Sequence, residues 1–347
     1  MRNTFLALVL ACGASTAMAQ STSSAGADAT VKAAPSLSEA AALAAKGRLD
    51  QALAELDVLS KAEPEEAGVE RLRGGIFYQK DRLEEAGTAF AKAVQQDPED
   101  RESIGMLGIT LYRLGRPVDA IPMLEKAEAA VTSANADPQY VLGLCYIDAK
   151  RYDDARRAFA AQFGFAPDSA EAYLVTARLL LRREFPDPAA QFAQKALELN
   201  PALPQAHELL GEIALAKADL PQAVKELEAE EKLNPLDGPM YDRLGDAYVR
   251  NGEYEQARQA LNKALVLEPN ATGPYILLGE ALIKLGQPAQ AIHYLDRAIV
   301  MDPGNYVAHN FMGQAYRALG QLAEANREYK LATDIQHRND PKPVQAR

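Results

Sequence analysis

Two cysteines and four histidines in 347 residues leave little material for redox or metal chemistry. Cys12 falls in the N-terminal targeting stretch, so an exported chain keeps Cys145 alone and forms no intrachain disulfide. The histidines, His207, His293, His309 and His337, are scattered and offer no ligand set for zinc. Positive charge is also short: 37 basic residues face 48 acidic ones, for a formal net charge of −11. Such a surface repels phosphates, which argues against a nucleic-acid partner, and has no polybasic attraction to anionic lipid. It favours basic partners through its overall field. No apolar run approaches the roughly 20 residues needed to span a bilayer. Missing too are G-x-x-x-x-G-K-[ST], G-x-G-x-x-G, G-x-S-x-G, H-E-x-x-H and paired C-x-x-C. These absences predict a protein that is not an enzyme and carries no cofactor.

What remains is ordinary for a folded chain, with 48% hydrophobic and 24% charged residues. Residues 1–19 have the parts of a secretory signal peptide: Arg2, the apolar run Phe5 to Ala11, and Ala17-Met18-Ala19 before Gln20. The expectation is an exported protein, periplasmic or secreted, with a lipid anchor through Cys12 as the alternative because Val9-Leu10-Ala11-Cys12 loosely matches a lipobox. Residues 20–32, rich in Ser, Ala and Thr, form a flexible leader.

The rest is periodic. Tyr241, Leu244, Gly245, Tyr248, Gly252, Ala257, Leu261, Ala264 and Pro269 recur 34 residues later as Tyr275, Leu278, Gly279, Leu282, Gly286, Ala291, Leu295, Ala298 and Pro303. Projected along the chain, this frame starts units at residues 33, 67, 101, 136, 170, 204, 238, 272 and 306, filling 33–339 and leaving 340–347 as a tail. Position 20 is alanine in all nine units, and position 8 is glycine in seven and alanine in two. Glycine inside a helix costs about 1 kcal/mol against alanine, so its recurrence demands a reason. The expected reason is close approach of two helix backbones where positions 8 and 20 meet. Position 24 is large in eight units, among them Leu56, Phe90, Phe159, Leu261 and Tyr329, and fills the core.

These nine ordered positions resemble the tetratricopeptide repeat, a helix-turn-helix unit. The resemblance implies an all-α, right-handed α-solenoid of about nine units that acts by binding other proteins. Within each unit the helices are expected at about positions 2–14 and 18–31. Gly47, Gly115, Gly252, Gly286 and Gly320 make the turn, and Ser36 with Glu39 forms the first capping box. Pro122 and an extra residue within Val131 to Asp137 make the third unit irregular, and a bend or local loosening between the first three units and the last six is expected there. Phe185-Pro186-Asp187-Pro188 should hold the turn of the fifth unit extended. Leu322 to Gln336 caps the array with a polar outer face.

In such arrays the concave groove is lined by positions 2, 5, 9, 12 and 13 of each first helix. Here those positions supply Tyr78, Tyr112 and Tyr140 in units two to four and Arg178 and Arg182 in unit five. Glu208, Glu212, Asp242, Asp246 and Glu280 follow in units six to eight, and Asn310 in unit nine. Two arrangements are open. The tyrosines hold apolar side chains while the five carboxylates receive a basic segment of a partner peptide, or the face is merely solvated and Arg250 and Lys284 neutralise part of the acid. No unit has the Lys and Asn at positions 5 and 9 with which chaperone-binding relatives clamp a terminal carboxylate. The resemblance and the signal together suggest an adaptor of a bacterial envelope assembly. Self-assembly through terminal repeats, giving a homo-oligomer, is the alternative.

Overall fold

The computed structural model describes residues 35–62, 64–127 and 137–339. The expected signal peptide, leader and tail lie outside them, as do residues 131–136 of the irregular stretch. Among the described residues every regular element is an α-helix, and the helices fall into nine consecutive pairs. The first three units hold α1 (Leu37–Ala45), α2 (Leu49–Leu59), α3 (Val69–Gln79), α4 (Leu83–Gln96), α5 (Arg101–Arg113) and α6 (Pro117–Ala127). The middle three hold α7 (Pro138–Asp148), α8 (Tyr152–Phe163), α9 (Ala170–Arg182), α10 (Pro186–Leu199), α11 (Ala206–Ala216) and α12 (Leu220–Leu233). The last three hold α13 (Gly238–Asn251), α14 (Tyr254–Leu267), α15 (Thr272–Lys284), α16 (Pro288–Met301), α17 (Tyr306–Ala318) and α18 (Leu322–Asn339).

Local chemistry starts and stops these helices where the frame puts them. Ser36 accepts from the Glu39 amide at 3.2 Å, as the capping box requires, and Asp237 accepts from Met240 at 3.0 Å to start α13. The turn inside each unit is built on one left-handed residue at position 15. Gly47, Gly115, Gly252, Gly286 and Gly320 supply it as expected, with φ between 72° and 81°. The other four units adopt the same conformation without glycine, at Asp81, Lys150, Glu184 and Ala218, with φ between 58° and 64°. Pro186 does not hold an extended connection. It is the first residue of α10, where its missing N–H is no loss and its fixed φ suits the helix.

The glycines at position 8 are explained by position 24 rather than by position 20. A Cβ on Gly74 would stand 2.7 Å from the Phe90 ring, and one on Gly108 or Gly211 would stand 2.6 Å from Leu124 or Leu227. The large side chain of the second helix lies directly on the backbone of the first. In the fifth unit, where position 8 is Ala177, position 24 shrinks to Ala193, and both are fully buried.

The core is a strip shared between units, continuous from Ala86 to Ile213. It passes through the irregular third unit: Leu124 of α6 and Leu142 of α7 belong to the same cluster, and the Tyr146 hydroxyl donates to Glu125 at 2.5 Å. Pro122 is accommodated within α6, which is 11 residues long where α4 and α10 have 14. First helices of successive units touch each other, α13 with α15 and α15 with α17, whereas second helices have no comparable contact. The array therefore curves with its first helices inside. Helix α18 is longer than expected, ending at Asn339, and presents Glu324, Asn326, Arg327 and Lys330 to solvent. No helix among the described residues is long and apolar enough to cross a membrane.

Candidate interaction groove

The inner wall divides into three chemical zones. In the first, the tyrosines are half-buried and already engaged. The Arg113 guanidinium lies 4.8 Å from the centre of the Tyr78 ring and donates to Asp81 at 2.6 Å. Arg183 donates to the Tyr112 hydroxyl at 3.3 Å and forms an ion pair with Asp148. Tyr140 packs tilted against Phe159, with ring centres 5.8 Å apart. Tyr78 and Tyr112 are thus not the open apolar rests expected of them, because arginines one and two units further on cover them. Cys145 is buried on α7, and burial pushes its thiol up to about 12. It is inert at neutral pH.

The second zone is a depression of about 530 Å³ spanning units four to six. Tyr140, Val175, Leu209, Arg178, Arg182 and Glu212 line it, so it collects four of the residues expected in the groove. Arg178 donates to Gln205 at 2.8 Å and lies 4.0 Å from Glu208. Arg182 and Glu212 are exposed, and neither has a hydrogen bond or ion pair with a described residue. Val175 and Leu209 both stand at position 6, which the groove frame omits; its valine and leucine are the signal that was available.

Glu208 is where expectation and structure part. It is only 7% exposed, accepts from Arg243 at 2.8 Å, and its carboxyl is pushed up chiefly by burial. Behind it Glu230, fully buried, accepts from the Gln205 amide at 2.7 Å and the Glu208 amide at 3.3 Å, capping α11 where no local side chain does. Glu208 is therefore part of the wall and not a receptor for a partner. Arg243, also at position 6, is the residue that decides this.

The third zone is acidic. Asp242 and Asp246 stand on α13 and Glu280 on α15, each partly buried. Burial raises the carboxyl pKa of both Asp242 and Glu280, and the neighbouring charge of Asp246 raises each further. The Asp242 Oδ1 is buried with no hydrogen-bond partner. Arg250 sits 3.5 Å from Asp246 but also donates to the Leu215 carbonyl at 3.2 Å, and Lys284 lies near enough to Glu280 to offset part of its charge. Asn310, next along the wall, is exposed and accepts from Gln314 at 2.8 Å. The two histidines at position 4 also prove polar: His207 and His309 each hold a glutamate of the partner helix, Glu226 and Glu328, at 2.6 Å. No group of His, Cys, Asp and Glu among the described residues could hold a metal ion.

An all-α solenoid of paired helices with its first helices lining a concave wall defines the class of fold. Profiles of one family match along it: "Tetratricopeptide repeat-like domain" over residues 12–115, "Tetratricopeptide repeat" over 111–179, 174–238 and 282–346, and "TPR repeat" over 245–286. The chain belongs to the tetratricopeptide repeat family. Solved structures similar to it include one described as "Crystal structure of YrrB: a TPR protein with an unusual peptide-binding site", 23% identical, covering 54% of this chain and 95% of that one with a TM-score of 0.48. MamA 41-end from Desulfovibrio magneticus RS-1 is 21% identical over 50% of this chain and 98% of its own, with a TM-score of 0.47. The Pseudomonas aeruginosa pilF structure is 21% identical over 48% of this chain and 76% of its own, with a TM-score of 0.43. At these identities the likeness is one of repeat architecture. No curated protein matches the chain.

Proposed function

We infer that the protein is an interaction scaffold which holds a segment of another polypeptide along its inner wall. One observation carries this: Arg182 and Glu212 are exposed and have no hydrogen bond or ion pair with a described residue, and further along the array Asp242 and Glu280 are carboxylates that burial and the charge of Asp246 hold above their ordinary pKa. Some charges elsewhere pair across units, as Lys217 does with Asp187 and Lys263 with Glu231. Carboxylates held together on a concave surface raise the local negative potential and draw in a basic segment. Glu212, Asp242, Asp246 and Glu280 are the receptors in this reading.

The cellular setting we infer is the bacterial envelope, where an exported repeat protein of this kind serves as an adaptor. The support is the signal-like sequence of residues 1–19. Covalent crosslinking in intact cells followed by mass spectrometry tests both parts. Capture of an envelope protein through groove positions is expected. Crosslinks confined to cytosolic proteins, or unaffected by charge reversal at Asp246 and Glu280, would overturn the reading.

Self-association through the last helix pair is the second reading, favoured by Leu319, Leu322 and Leu331, which remain exposed there. Light scattering that finds a monomer at high concentration removes it.

A further inference from the structure

Resting on the groove reading above, we propose that the depression across units four to six is a subsite for an acidic side chain next to an apolar one. The partner segment then carries its acid and its base in separate blocks.

The signs along the wall set the order. Arg178 and Arg182 lie four residues apart on α9 and so on one face, at a spacing of about 5–6 Å between their Cβ atoms. Guanidinium groups so placed suit a carboxylate, which each can grip with two parallel hydrogen bonds. Of the three acids near them, Glu212 lines the depression from α11 without making an ion pair with either arginine, and the other two are engaged elsewhere. Glu208 takes its ion pair from Arg243 at 2.8 Å, with Arg178 only at 4.0 Å, and Asp148 takes its own from Arg183. Arg182 is left exposed and unpaired among the described residues. Beside the guanidinium groups, Tyr140, Val175 and Leu209 make an apolar bed within the same 530 Å³ depression.

Charge changes sign from the α11 wall of the depression onward. Glu212, on the α11 wall of the depression, is exposed and unpaired among the described residues, and Asp242, Asp246 and Glu280 continue the negative stretch through α13 and α15. Packed helices lie about 8–10 Å apart, so two units span roughly 20 Å. An extended chain covers that distance in about six residues at about 3.3 Å each. The segment that fits presents an apolar-acidic pair, about six residues, and then lysine or arginine.

A feature of the whole molecule makes the test decisive. The chain carries a net charge of −11, so its general field favours the most basic ligand available. The subsite favours a ligand that gives up one positive charge for a negative one. Fluorescence anisotropy with the full chain compares three labelled peptides that share a phenylalanine anchor and a Lys-Lys block six residues on, with Asp, Asn or Lys beside the anchor. The Asp peptide is expected to bind about tenfold more tightly than the Lys peptide, the size of one charge-assisted hydrogen bond. Arg182→Glu is expected to reverse that order without moving the thermal unfolding curve. If affinity instead rises from Asp through Asn to Lys, and Arg182→Glu leaves the ranking unchanged, the subsite is overturned. Loss of binding on Asp246→Lys in that case leaves the groove reading standing. Binding of none of the three peptides overturns the subsite as well, while envelope crosslinks through Asp246 and Glu280 still decide the groove reading.

Discussion

Leu295 covers Gly279 so closely that a Cβ on the glycine would stand 2.6 Å from both the leucine Cγ and Cδ2. The same relation holds between positions 8 and 24 in every unit that has glycine at position 8. It predicts a coupled cost. Gly279→Ala should destabilise by about 1–3 kcal/mol through overpacking, and Leu295→Ala by about 2–5 kcal/mol through the cavity it leaves. The double variant copies the Ala177 and Ala193 pair of the fifth unit, and should cost less than the two single changes together. Chemical denaturation of the four proteins measures the coupling, and simple additivity would show that the glycine is not there for the leucine.

Ala218 adopts φ 58° at the position where five other units place glycine. A left-handed residue with a Cβ costs about 1–2 kcal/mol, so Ala218→Gly should stabilise the array by about 1 kcal/mol. Gly252→Ala, at φ 81°, should do the reverse. Thermal melts of the two variants should shift in opposite directions.

Glu208 and Glu212 are one helical turn apart and should respond in opposite ways. Arg243→Ala strands Glu208, which is 7% exposed, and should cost about 1–3 kcal/mol of stability. Glu212→Gln should leave stability within about 0.5 kcal/mol and weaken the binding of a Lys-bearing peptide. A large stability loss for Glu212→Gln would place that carboxylate in the wall instead of the groove.

Asp242 and Glu280 titrate above their ordinary values because burial disfavours the charged carboxylate. The folded chain therefore binds protons there that the unfolded chain has released. The stabilisation this provides is complete below the unfolded carboxyl pKa and is lost as pH rises through the folded values. Asp242→Asn and Glu280→Gln should accordingly raise the melting temperature at neutral pH, with the gain fading as pH falls below the unfolded value. The same variants should lose affinity for basic peptides at neutral pH.

Much of this architecture is legible in one sequence because helix pairing is local and repeats. The small residue at position 8, the large one at position 24 and the glycine turns at position 15 lie within one unit, so a 34-residue frame displays them again and again. The left-handed turns at Asp81, Lys150, Glu184 and Ala218 escape that reading, since residue type alone does not announce a backbone imposed by the packing of two flanking helices. Pro186 was similarly ambiguous, as a proline fits an extended link and the first turn of a helix equally well.

The period and the sizes of the recurring side chains by themselves determined nine helix pairs and a shared core strip. Which inward charges stay available was decided only by tertiary structure. Glu208 and Glu212 are the same residue on the same face, and Arg243, 35 residues further on, neutralises one of them and not the other. An ion pair forms only across a few ångströms, and the curvature that brings position 6 of one unit against position 5 of its neighbour is a property of the stacked helices rather than of any single repeat.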